Sequence, residues 1–186
     1  MRILGALVIS VALALSGCAR GKIEDSGTSE STLSAQRDEI RTLNRMVSIL
    51  IDANTLYHEA ANIPDEPGIA PPIRSLADKR DRQRAELQDI VLNLGGRPDT
   101  YGEALGTAHR SWTQARTAME SDTKVAIQEV LRGEYYIIEI IDECHQVRLS
   151  DVSAEWLSDL RADVETDIEI LQELLISSGF SRFDPN

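Results

Sequence analysis

The chain has 186 residues and a formal net charge of -12, with 31 Asp+Glu against 19 Lys+Arg. Such a surface repels phosphate backbones, which argues against nucleic-acid binding. It also opposes docking on anionic lipid headgroups, so any hold on a membrane falls to a covalent anchor. Aromatic residues make up only 4%, so a core has to be aliphatic, which suits helices better than sheets. Once an export segment is set aside, what remains has the length of one ordinary domain. A domain of that size buries roughly 70% of its unfolded surface and needs no disulfides. The two cysteines are Cys18 and Cys144. With Cys18 acylated, Cys144 has no intramolecular partner.

At the N-terminus Arg2 supplies a positive charge, and residues 3–15 form an apolar run too short for an ordinary spanning helix. Leu15-Ser16-Gly17-Cys18 follows, and it resembles the lipobox of bacterial lipoproteins. Small residues before the cut fit a peptidase groove, and the thiol accepts diacylglycerol. The alternative is a plain signal peptide with a chance cysteine. On the lipoprotein reading residues 1–17 are removed and Cys18 becomes the lipidated N-terminus. Each buried CH₂ adds about 0.8 kcal/mol, so two or more acyl chains anchor stably where one does not. Ala19 is not the aspartate that retains such proteins at the inner membrane. The resemblance therefore implies an outer-membrane lipoprotein facing the periplasm. Residues 18–33 are polar and rich in Ser, Thr and Gly and read as a flexible tether.

Heptad-like spacing predicts four helices within residues 34–178. The first covers about 34–62, with Ile40, Leu43, Val47, Leu50, Asn54, Tyr57 and Ala61 on one stripe. Pro64, Pro67, Gly68, Pro71 and Pro72 then break the pattern. The second covers about 72–94, with Ile73, Leu76, Arg80, Gln83, Leu87, Ile90 and Leu94 aligned. Pro71 and Pro72 suit its first turn, and Gly95-Gly96 its C-terminal cap. The third covers about 121–148, capped by Ser121 or Asp122, with Ile127, Leu131, Glu134, Ile138, Ile141 and His145 aligned. The fourth covers about 153–177, with Leu157, Leu160, Val164, Asp167, Leu171 and Leu174 aligned. Ser153 opens it without a capping box, and Gly179 ends it before a tail at 179–186. Residues 97–120 are too long for a hairpin link and carry a short helical pattern of their own: Ala104, Leu105, Ala108, Trp112, Ala115 and Met119. Hairpin, long crossover and hairpin is the order of an all-α, ferritin-like four-helix bundle; a generic up-down bundle is the alternative.

Every stripe is interrupted near its middle by polar residues: Asn54, the pair Arg80 and Gln83, Glu134, and Asp167. Polar groups facing a core cost stability unless they are paired, and their similar depth predicts one shared layer. Di-iron bundles place a Glu on each of two helices and a Glu-x-x-His on each of the other two at such a depth. No Glu-x-x-His occurs here. His58 and Glu59 are neighbours and point about 100° apart on a helix. His109 falls in the crossover, and His145 lies at the end of the third helix. The expected arrangement is therefore a set of ion pairs, Glu134 and Asp167 with Arg80 or Arg84, and no cofactor. The competing arrangement is an iron or manganese site using Glu59, Glu134 and Asp167, against the charge of a nearby arginine.

Further residues carry a resemblance to a known family. Leu43-Asn44, Val47, Leu50, Asp52, Tyr57 and Ala60-Ala61 look like the first helix of ferritin-like bundles catalogued as domain of unknown function 2383. Leu76-Ala77, Arg80 and Glu86-Leu87-Gln88 look like its second helix. Leu94-Gly95-Gly96, Pro98, Ala108-His109-Arg110 and Trp112 resemble its crossover, and Gly133-Glu134 its third helix. The resemblance runs from about Leu43 to Leu174 and implies the ferritin-like fold. It implies no activity. Two positions depart from the pattern. Glu165-Thr166-Asp167 stands where the family's fourth helix carries a histidine, and Asp52-Ala53 stands where the first carries Asp-Gly.

Other chemistries lack their motifs. There is no Gly-x-Ser-x-Gly, no P-loop and no Gly-x-Gly-x-x-Gly. Cys144 beside His145 suggests thiol chemistry only until helix geometry is considered, because adjacent side chains diverge; a buried inert cysteine is expected. Trp112 and Trp156 are expected to pack across helices. The functional expectation is a lipid-anchored, non-enzymatic envelope protein, with a second copy or another envelope protein as partner. A metal-binding protein or oxidase is the alternative.

Overall fold

A computed structural model describes residues 26–64, 66–102 and 121–185. Four helices occupy most of them: α1 (Ser26–Ala60), α2 (Ala70–Asn93), α3 (Asp122–Cys144) and α4 (Asp151–Ser177). α1 and α2 form one close-packed hairpin, α3 and α4 the other. The hairpins join along α1 and α3, whereas α2 and α4 approach only loosely. Leu43, Leu50, Ile73, Leu87, Ile127, Leu131, Ile140, Leu157 and Val164 are fully shielded or nearly so and make an aliphatic core. Each such side chain contributes about 1.5–3 kcal/mol relative to its exposed state.

The helix ends follow local chemistry. α2 has proline in its first turn, where a missing N–H costs nothing. Its end is a Schellman turn: Gly96 N donates to Val91 O and Gly95 N to Leu92 O, both at 2.9 Å. Gly95 adopts φ 78°, which a side chain resists. Gly179, at φ 84°, closes α4 in the same way, with Phe180 N donating to Leu175 O. Ser121 caps α3 by accepting from Lys124 N. α4 starts earlier than its pattern predicts. Its cap is Ser150, which accepts from Ser153 N, and Ser153 itself is buried inside the first turn.

Two further boundaries are corrected. α1 begins at Ser26, so the last part of the expected tether is helical. Extending an established helix orders one residue for each bond gained, so it runs past the end of the core on polar sequence, and residues 30–34 stand exposed. α3 ends at Cys144, short of 148, because the next turn tightens: Gln146 N donates to Glu143 O and Val147 N to Cys144 O. His145 is therefore exposed, and the stripe ends on Ile137, Ile140, Ile141 and Cys144. A straight helix drifts from a strict seven-residue repeat, which accounts for Ile137 replacing Ile138 in the core.

The segment leaving α2 climbs along α1. Gln36 Nε2 donates to Leu94 O at 2.7 Å, Asn44 Nδ2 to Arg97 O at 2.9 Å, and Ser48 Oγ to Tyr101 O at 3.0 Å. That is the start of a long crossover between the hairpins. Its expected short helix, with His109 and Trp112, lies outside the described residues, as do the export segment and Cys18. Among the described residues no helix is long and apolar enough to cross a membrane.

Candidate functional site

Arg80 is the centre of the polar layer. It lies mid-way along α2, its side chain is 0% exposed, and it reaches inward to Glu134 of α3, also 0% exposed. Arg80 Nε donates to Glu134 Oε1 at 3.1 Å, and Nη2 donates to Glu134 Oε2. Nη1 donates to Gln83 Oε1 at 2.7 Å, and Nη2 also donates to Asp167 Oδ2 of α4 at 2.8 Å. One planar guanidinium thus ties three helices together, as its fork of five donors allows.

The layer extends to solvent through the loose α2–α4 seam. Lys79 Nζ donates to Asp167 Oδ2 at 2.9 Å and lies 3.4 Å from Asp163 Oδ1. Gln83 Nε2 donates to Asp163 Oδ2 at 2.8 Å. Exposure grades outward: Asp167 is 13% exposed, Lys79 27% and Asp163 50%. Burial pushes the Glu134 carboxyl up, against the pull of Arg80. The Glu134 carboxylate raises the Arg80 value further above its already high range, over the opposing effect of burial.

Tyr57 completes the inner wall. Burial and the neighbouring Glu134 carboxylate push its phenol well above the usual range, so it is neutral. Its hydroxyl is fully buried and faces the Glu134 carboxylate. Gly133 lets the ring in: a Cβ there would sit 2.6 Å from Tyr57 Oη and 2.8 Å from Cε1.

Of the residues singled out by pattern, Arg80, Gln83, Glu134 and Asp167 come together around one guanidinium. Asn54 is one turn away and donates to Ala77 O at 3.0 Å, which makes it a fastener between α1 and α2. Arg84 is not the partner of the inner carboxylates; it pairs with Asp81 and Gln88 on the outer face of α2. Glu59 is exposed and takes no part in the layer, which removes it from the iron or manganese alternative. Its neighbour His58 is also exposed, 3.7 Å from Asp78. Among the described residues no three His, Cys, Asp or Glu side chains are placed to hold a metal ion. Cys144 is buried, and burial pushes its thiol up to about 11. Trp156 is partly buried and its indole N–H points to Glu86 of α2, across the seam.

Sequence pattern missed Lys79 and Asp163, although each sits within one helical turn of a charged stripe residue of the same sign, Arg80 and Asp167. It also missed Glu39, near the start of the close-packed part of α1. Glu39 Oε1 accepts from Ser150 N at 2.9 Å, from Ser150 Oγ at 2.6 Å and from Ser153 Oγ at 2.6 Å. A carboxylate thereby sits at the positive end of α4. Burial alone would raise its pKa, but these three hydrogen bonds outweigh burial and hold it below the usual glutamate value. A depressed carboxylate stabilises the fold fully above its unfolded value, and that contribution is lost as pH falls through the lower folded value. Glu39→Gln is expected to destabilise the protein at about pH 6 and to do so less at about pH 3. Urea midpoints at the two values measure it; an equal gap at both would remove the charge from the account.

Comparison with known proteins supports this architecture. The profile of the family described as "Domain of unknown function (DUF2383)" matches residues 38–146, more than half of the chain. A solved structure of "ferritin like, diiron-carboxylate proteins" from Bacillus anthracis str. Ames superposes with a TM-score of 0.60. It is 18% identical, with 76% of this chain and 97% of that chain covered. No curated protein matches. The ordered hairpins, the ascending crossover and the family profile converge: this chain is an all-α, ferritin-like four-helix bundle and belongs to the DUF2383 family.

Proposed function

We propose that the protein is a lipid-anchored, non-enzymatic bundle of the bacterial envelope, held at a membrane through Cys18 and acting by structure or by binding a protein partner. The observation that carries the non-enzymatic part is the guanidinium of Arg80, which already bonds both oxygens of Glu134 and one of Asp167. Carboxylates serve a metal when their oxygens are free to ligate it, and a resident cation at that point repels a second. The residues of this layer do not fit an iron centre. The anchor reading is supported by Leu15-Ser16-Gly17-Cys18 after an apolar run. The outer membrane, facing the periplasm, is the compartment we assign by the same resemblance.

A second reading, an iron- or manganese-binding protein or oxidase, is favoured by the likeness to a ferritin-like, diiron-carboxylate protein. One preparation separates the two. The full chain is purified from membranes of a bacterial host, loaded with ferrous iron and with manganese, desalted and assayed for metal. The first reading expects an acylated Cys18 at the N-terminus and far less than one metal ion per chain. Stoichiometric iron that disappears in Glu134→Gln establishes the second. An unacylated N-terminus cut elsewhere would overturn the anchor.

A further inference from the structure

We propose that the groove between α3 and α4 recognises an extended segment of another envelope protein, one that carries an aromatic residue. The chain's own C-terminal tail is the segment it holds until such a partner displaces it. This deepens the partner-binding reading above and rests on it. Phe183 shows how the groove takes a ligand. Gln172 of α4 is 0% exposed, and both ends of its amide serve one backbone position. Phe183 N donates to Gln172 Oε1 and Gln172 Nε2 donates to Phe183 O, each at 2.8 Å. A buried amide used this way pairs like the edge of a strand: it holds main chain, and side-chain pockets supply the choice of sequence. Here the pocket asks for a ring. Tyr135 lies 6.2 Å from the Phe183 ring, tilted by 37°, and the Arg132 guanidinium lies over that ring at 5.3 Å. Beyond these contacts the end of the tail holds weakly. Arg182 and Glu169 pair at exposed positions, and Asp184 and Pro185 are exposed. The groove also runs on past Pro185. A cavity of about 600 Å³ continues along α3 to Gln146, walled by Tyr135, Tyr136 and Ile138. Glu139 stands exposed in that stretch with no ion pair among the described residues. A partner segment with a basic residue beyond its aromatic anchor therefore meets a free carboxylate, which the tail does not use.

The test uses the full chain and a fluorescent peptide with the sequence of residues 179–186 followed by two lysines. Fluorescence polarisation reads the binding. The parent chain is expected to bind the peptide to saturation. Phe183→Ala, which gives up the tail's own anchor, should bind it about tenfold more tightly, because a tethered competitor acts at millimolar effective concentration. The same peptide with alanine for its second phenylalanine should bind neither chain. Phe183→Ala/Gln172→Leu should not bind the original peptide. Arg132→Ala, at an exposed position, should weaken binding and replaces the Gln172 variant if that one does not fold. Two glutamates in place of the lysines should weaken binding severalfold at low salt. Saturable binding in this order supports the inference. A parent chain that stays free at millimolar peptide, or binding indifferent to the aromatic residue, overturns it. Neither result touches acylation or metal content, which decide the reading beneath it.

Discussion

Glu134→Leu is expected to destabilise the bundle by about 3–5 kcal/mol, because it leaves a fully buried guanidinium without its main counter-charge. Arg80→Met should cost a similar amount by stranding the carboxylate instead. The two losses are not independent, since both side chains are 0% exposed and each is the other's principal partner. The double variant Arg80→Met/Glu134→Leu removes both charges and fills the space with aliphatic volume. Asp167 then keeps Lys79 at 2.9 Å, and Gln83 keeps Asp163 at 2.8 Å. We therefore expect the double variant to be more stable than either single one. Chemical denaturation of all four proteins gives the coupling directly. A double variant that loses the sum of the single losses would show that the layer does not act as one unit.

The second large effect concerns a residue with no side chain. Gly133→Ala would ordinarily stabilise a helix interior by up to about 1 kcal/mol. Here the new Cβ would meet Tyr57 Oη at 2.6 Å and Cε1 at 2.8 Å, and Tyr57 is itself walled in with no exposed surface. The helices must separate to accept it, and a net loss of about 1–3 kcal/mol is expected. Tyr57→Phe alone is expected to cost less than Gly133→Ala, because it deletes only the hydroxyl that faces Glu134 and leaves the ring in place. Combined with Gly133→Ala it should recover part of the loss and not all, since the ring carbon remains in the way. Thermal midpoints of the three variants test the order. A Gly133→Ala protein more stable than its parent would show that the α1–α3 contact is looser than the structure places it.

Sequence periodicity was a good guide to the bundle because its core is aliphatic and its helices are long. Leu43, Leu50, Ile73, Leu87, Ile127, Leu131, Leu157 and Val164 all fall on the expected stripes and are all buried. Helix ends were less legible. Gly95 and Gly179 announce theirs because a positive φ calls for glycine. Ser150 and Ser153 are equally good caps by residue type, and only the position of Glu39 on another helix separates their roles. The polar layer shows the same division. Interrupted stripes single out Arg80, Gln83, Glu134 and Asp167, because a charge among leucines is conspicuous. They do not say which arginine turns inward: Arg80 and Arg84 are one turn apart, and Arg84 is held outside by Asp81 and Gln88. Lys79 and Asp163 lie at stripe margins, where charge is ordinary, so nothing in the pattern separates them from solvent-facing neighbours.

The C-terminal tail fixes the polarity of the whole molecule. Gln172 holds Phe183 by both backbone groups, at 2.8 Å each, and Lys124 lies over the Phe180 ring. Phe180 thus sits by the beginning of α3 and the residues after it fold back to the middle of that helix, where Phe183 meets Tyr135 and Arg132, while the described chain enters at the opposite pole, near the Glu39–Ser150 junction. A helix of 27 residues separates the poles, a span of about 40 Å. A fluorophore or affinity tag placed after Asp184 would therefore report from beside the middle of α3 and not from the end of the bundle where α4 stops.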